Sequence, residues 1–166
     1  YRANGSLTLA MLPLNDATNT KDPANGEGAK PSHSPFLAFG KRLREELGYP
    51  IGLIPTALGG SPLSSWVKSA DGKLFDNMLV FVKDSGTTPC GLCWYQGCSD
   101  TSEELSRQYM ARFKEFVSSV RAEFNNPKLP IITAQINRVT GANNPWWEDI
   151  REIQRQCEYP NWHPQG

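Results

Sequence analysis

Apolar residues return along this chain at changing spacings, and each change outlines an element. Phe36, Phe39, Leu43 and Leu47 recur at helical spacing after Ser34-Pro35, an N-cap followed by a first-turn proline, and Gly48 stops them. Residues 51–58 are instead almost continuously apolar, as expected of a strand covered on both faces, and Gly59-Gly60-Ser61-Pro62 ends the run. From Lys73 to Lys83 the positions Leu74, Phe75, Met78, Leu79 and Val82 mark a second helical face, closed by Asp84-Ser85-Gly86. A strand over residues 90–95 then breaks into the polar turn Gln96-Gly97-Cys98-Ser99-Asp100. The clearest helix follows, with Leu105, Tyr109, Phe113, Phe116, Val117, Val120 and Phe124 on one face. It is bounded by Asp100 or Ser102 before it and Asn125-Asn126-Pro127 after it, and its aromatic stripe reads as core. Residues 130–136 suit a third strand, and Trp146 to Cys157, with Ile150 and Ile153 inward, a last helix. Upstream, residues 7–11 suit an edge strand, while residues 12–34 are dense in Pro, Gly, Asn, Asp, Ser and Thr and read as an extended loop.

Helices alternating with strands predict a parallel sheet with helices on both faces. With 166 residues the chain fits one domain around a single core. Seventeen basic and seventeen acidic residues give no net charge to draw it to nucleic acid or an anionic membrane. No apolar run approaches the roughly 18 residues of a membrane-crossing helix. Cys90 and Cys93 form a C-x-x-C without a second pair or histidine cluster to complete a zinc site, so no metal is expected, and they read as buried small apolar residues. Asn4-Gly5-Ser6 is a single glycosylation sequon, which slightly favours secretion without fixing a compartment.

In open α/β sheets ligands gather at the carboxyl ends of strands. Three such ends carry candidates: Gly59-Gly60-Ser61, Gln96-Gly97-Cys98 and Asn137. Paired glycines leave backbone N–H groups uncovered for a developing negative charge, and Gln96 can add a side-chain amide donor. A tight turn needing positive φ explains Gly59-Gly60 equally well. Ser61 half matches a nucleophile elbow, with Pro62 and Leu63 breaking the pattern. Cys98 lies near the start of the longest helix, whose dipole could lower a thiol pKa, with His163 as its base; a packed, inert thiol is the competing reading. Ser6 precedes its strand and is the weakest nucleophile candidate.

Several spaced blocks resemble a known family. They are Ile51-Gly-Leu-Ile-Pro-Thr-Ala-Leu-Gly-Gly-Ser-Pro62 with Trp66, Leu74-Phe-Asp-Asn-Met78, Trp94-Tyr-Gln-Gly97, Leu129-Pro-Ile-Ile132 and Ile150-Arg-Glu-Ile-Gln154. Together they look like the sialate O-acetylesterase domain, an SGNH-hydrolase-like group that includes carbohydrate esterase family six. The resemblance covers most of residues 35–154. It implies a three-layer α/β/α flavodoxin-like fold with a central parallel sheet, and removal of acetyl groups from sugars by a serine, with no metal or cofactor. It further implies that Gly59 and Gly60 belong to the oxyanion region; beside it, the strand-end reading adds Gln96 as an oxyanion donor and Ser61, Gly97 and Asn137 as substrate contacts.

The chain departs from that family at three points. The nucleophile's Gly-Gln-Ser-Asn block occurs nowhere in it, which implies a domain lacking its N-terminal nucleophile segment and its final C-terminal part. Cys98 stands where the family has a glutamate that orients the catalytic histidine, and a neutral thiol accepts a hydrogen bond poorly. The family's base comes from an Asp-x-x-His block, whereas His163 has Pro160 three residues earlier and Glu158 as the only nearby acid. His163 is therefore the base in an altered setting, or a residue outside the true block. Two functions remain open: an acetylesterase acting on acetylated carbohydrate with a serine not in this sequence, or an inactive pseudoesterase that binds a protein partner or a sugar.

Overall fold

The computed structural model describes residues 2–3, 6–7, 9–11, 14, 33–138 and 144–157, whose helices follow the periodicities above closely and whose strands are shorter. These residues fall into two units, one from 1–59 and 76–87, the other from 60–75 and 88–166.

In the first unit β1 (Arg2–Ala3) and β2 (Ser6–Leu7) pair antiparallel, Arg2 opposite Leu7. Of the edge strand expected over residues 7–11, Leu7 lies in β2 and residues 9–11 form no strand. The loop expected over residues 12–34 lies mostly outside the described residues. Helix α1 (Phe36–Leu47) begins where Ser34 Oγ accepts the Phe36 N–H at 3.3 Å. It ends at Gly48, whose φ of 73° lets its N–H turn back to the Arg44 carbonyl. Gly40 is the buried residue of this helix, and a Cβ there would stand 3.0 Å from Leu53 Cδ1. The apolar run at 51–58 therefore packs closely on a helix. Among the described residues it forms no strand, contrary to the sequence expectation, because no neighbouring strand supplies it with a ladder.

Helix α2 (Lys73–Asp84) contributes Leu74 and Phe75 to the second unit and the buried Asn77 and Met78 to the first. In the second unit β3 (Leu92–Trp94) and β4 (Ile131–Thr133) form a parallel pair with Trp94 opposite Thr133. Each is shorter than the strand its apolar run predicts. Helix α3 (Glu103–Glu123) starts at Ser102, whose hydroxyl accepts the Leu105 N–H at 3.4 Å. Its stripe buries Tyr109, Phe113, Phe116, Val117 and Val120, so those aromatics are core. The Trp94 ring lies 4.3 Å from that of Phe116, and Trp66 meets Trp94 edge-on at 5.3 Å. Phe75 meets Phe116 edge-on at 6.1 Å. Helix α4 (Pro145–Gln156) is capped by Asn144, which accepts the Trp146 N–H at 3.0 Å, and it buries Ile150 and Gln154.

Phe116 touches three other rings and is fully buried, so Phe116→Ala should destabilise the second unit by about 3–5 kcal/mol. Urea unfolding followed by tryptophan fluorescence measures this, and a loss below about 1 kcal/mol would show that the aromatic cluster is not the core.

Candidate active site

Strand β3 runs directly into the polar turn. Gly97 follows Gln96 at φ 144°, a conformation side-chain-bearing residues rarely adopt. A Cβ at this position would lie 2.9 Å from both Gln154 Nε2 and Ile150 Cγ2, so the turn is closed by sterics as well as by its backbone. One 3-10 turn (Cys98–Asp100) then carries the chain to α3.

Asp100 is completely buried. Its carboxylate accepts the Leu63 N–H through both oxygens, at 3.2 and 3.0 Å, and also the side-chain amide of Gln96. Leu63 opens another 3-10 turn (Leu63–Trp66), reached from Gly60 at φ 69° through Ser61 and Pro62. The second Nε2 proton of Gln96 goes to the Ser61 carbonyl at 3.0 Å. With two acceptors on one side of the amide, the nitrogen must face them, and both protons are spent there. The sequence assigns this amide to an oxyanion; in the structure it ties the Gly60–Leu63 turn to the Gln96–Asp100 turn.

The main chain of Gln96 is held equally firmly. Its carbonyl accepts from the Tyr109 hydroxyl at 3.0 Å and from Gln154 Nε2 at 2.7 Å. Gln154 Oε1 accepts the Ile136 N–H at 2.8 Å, joining the chain beyond β4 to the same network. Burial pushes the Tyr109 phenol well above its ordinary range, which keeps it a proton donor. Burial likewise raises the Asp100 carboxyl, opposed by its bonds to Gln96 and Leu63 and by the charge of Arg112.

The structure thus brings Gly60, Ser61, Gln96, Gly97 and Asp100 together. Gly59 belongs to the other unit. Ser61 is buried, and its hydroxyl accepts the Trp66 indole N–H at 3.0 Å. Asn137 is exposed; its carbonyl accepts from Trp147 Nε1 at 2.7 Å and its side chain from the Arg138 N–H at 2.8 Å. Glu158, Pro160 and His163 lie outside the described residues, as does the sequon's Asn4.

Two cysteine expectations are corrected. Cys98 is exposed rather than packed, and partial desolvation raises its thiol pKa, outweighing the lowering by its own N–H. The lowering expected from a helix start is not realised, because the 3-10 turn separates Cys98 from α3. Cys90 is exposed because the strand begins only at Leu92, and Cys93, inside β3, is half-buried rather than buried. Sequence reasoning placed Asp100 in the polar turn and at the helix boundary, with no part in holding the turn, and gave Tyr109 and Gln154 no role there. The available signal was Gln154 itself, a polar residue four places from Ile150 on an apolar helix face.

The family profile described as carbohydrate esterase, sialic acid-specific acetylesterase, matches residues 1–163. A probable carbohydrate esterase of Arabidopsis thaliana is 27% identical over 136 residues, 76% of this chain and 49% of that protein. The solved structure of an Arabidopsis thaliana protein matches with a TM-score of 0.68 at 26% identity, over 80% of this chain and 56% of that one. The crystal structure of a carbohydrate acetylesterase from Xanthomonas citri matches with a TM-score of 0.67 at 24% identity, over 77% of this chain and 32% of that one. The fold is accordingly the SGNH-like α/β fold of these neighbours. The chain spans about half the length of the curated relative it matches.

Gly97→Ala should cost at least about 1–3 kcal/mol from backbone strain alone, visible as a lowered urea midpoint; an unchanged midpoint would mean the turn adapts freely. Iodoacetamide should reach the exposed Cys90 and Cys98 before the buried Cys157. Because the Cys98 pKa is raised above its usual 9.0, its labelling rate should still climb beyond pH 9; a plateau below pH 8 would reveal an activated thiol instead.

Proposed function

Since the chain belongs to the carbohydrate esterase family of sialic acid-specific acetylesterases, we propose that it serves the hydrolysis of acetyl esters carried on sugars. The observation that carries this reading is the knot of Gln96, Ser61 and Asp100, which fixes two turns together. A carbonyl under attack by a hydroxyl nucleophile gains a full negative charge on oxygen, and donors already held in place stabilise that charge without reorganising. In this reading the Gly60 backbone N–H faces the oxyanion, Gln96 braces the turn that presents it, and Gly97 and Asn137 border the sugar. His163 passes the nucleophile's proton to the leaving alcohol. The nucleophile comes from none of the candidates found here. Ser61 is engaged by Trp66 and buried, and the family's Gly-Gln-Ser-Asn block is not among the 166 residues.

One observation favours a second reading, in which the chain is a catalytically silent member that binds a protein or sugar. Cys98 offers an exposed thiol of raised pKa, neutral at pH 7, in place of a glutamate carboxylate. An imidazolium beside it would gain little stabilisation.

The two readings separate in an assay of acetate release from O-acetylated sialic acid, using the protein as its natural source makes it. Esterase function predicts measurable turnover, raised by about tenfold or more in Cys98→Glu as the carboxylate returns. No turnover from either form would leave the binding reading standing and remove the catalytic one.

A further inference from the structure

We propose that Asp100 is a positioning residue of this site, its carboxylate clamping the Gly60–Leu63 turn to the Gln96–Gly97 turn so that the donor facing the oxyanion keeps its place. The inference rests on the esterase reading and assigns a part to a residue that touches no substrate. A carboxylate has acceptor capacity and no proton of its own, so it can take the Leu63 N–H on both oxygens and the Gln96 amide together without needing an acceptor in return. No neutral side chain of this size does that. Complete burial makes the ionised group costly, and a capping hydroxyl would satisfy the Leu63 N–H at lower cost. What the carboxylate adds is the orientation of Gln96. It draws Nε2 inward, which sends the second proton to the Ser61 carbonyl and leaves Gln96 Oε1 as a buried acceptor with no hydrogen bond among the described residues. Ser61 follows Gly60 directly, so the chain leaving the donor is held at two successive points, the Ser61 carbonyl through Gln96 and the Leu63 N–H through Asp100. Loss of the carboxylate frees both holds at once.

Displacements of this kind weaken transition-state binding more than substrate binding, because the oxyanion exists only in the transition state. The test is steady-state kinetics of the protein as its source makes it, with acetylated sugar and an aryl acetate, for wild type, Asp100→Ala and Asp100→Asn. Asp100→Ala should lower kcat about 100-fold with KM within about threefold. Asp100→Asn, which keeps one acceptor oxygen in the same volume, should recover about tenfold of that loss. A folded Asp100→Ala with wild-type kcat, or with its loss confined to KM, would overturn the assignment. If Asp100→Ala does not fold, Asp100→Asn decides: lowered kcat with faster exchange of the Leu63 N–H supports it, and wild-type values of both overturn it. A wild-type protein without activity overturns the esterase reading, and the role of Asp100 within it, which distinguishes that failure from an active enzyme indifferent to Asp100.

Discussion

The second unit depends on how one carbonyl oxygen is shared. Gln96 leaves β3 at the point where the ladder with β4 has ended, so its carbonyl has no strand partner, and an unpaired buried carbonyl is costly. Tyr109 from α3 and Gln154 from α4 both donate to it. Two helices and a strand end are thereby fixed at one atom, and the turn that follows inherits their rigidity. The aromatic packing beneath supplies the hydrophobic stabilisation but little direction, since stacked and edge-on rings tolerate sliding. Hydrogen bonds at Gln96 supply the direction.

That division between packing and direction explains what was legible in the sequence. The helices were readable to within a residue or two, because their apolar spacing and their stops at Gly48 and Gly86 are local properties. The strand over 51–58 was not. Its continuous apolar run is equally suited to lying against α1, and sequence carries no record of which neighbour provides a ladder. The site was legible in part for the same reason. Gln96 declares itself just beyond a strand and Gly60 in the glycine pair that breaks an apolar run, whereas Asp100 and Gln154 look like a helix cap and a surface polar residue until the fold sets them beside Gln96. The cysteines misled because a C-x-x-C resembles a buried pair whenever a strand is drawn two residues too long.

The family and the fold rest on many positions spread along the chain, while the chemistry would rest on a few. Scaffold and activity are therefore separate questions, even in a chain that belongs to an esterase family. Gln96 ties the Gly60–Leu63 turn to the Gln96–Asp100 turn, Gly97 supplies the backbone angle the second turn needs, and the Cys98 side chain is exposed beside them. A residue can differ at the mouth of such a turn while everything beneath remains as the fold requires.

The contrast between Gly97 and Cys98 has an evolutionary consequence. At Gly97 the backbone angle and two close neighbours admit one residue among the twenty, so drift at that position is punished by the fold itself. Cys98 is exposed, so replacing it disturbs little packing. Selection for stability thus protects the mount and is blind to what is mounted on it. A lineage could exchange this side chain for another, and later exchange it back, without passing through a poorly folded ancestor.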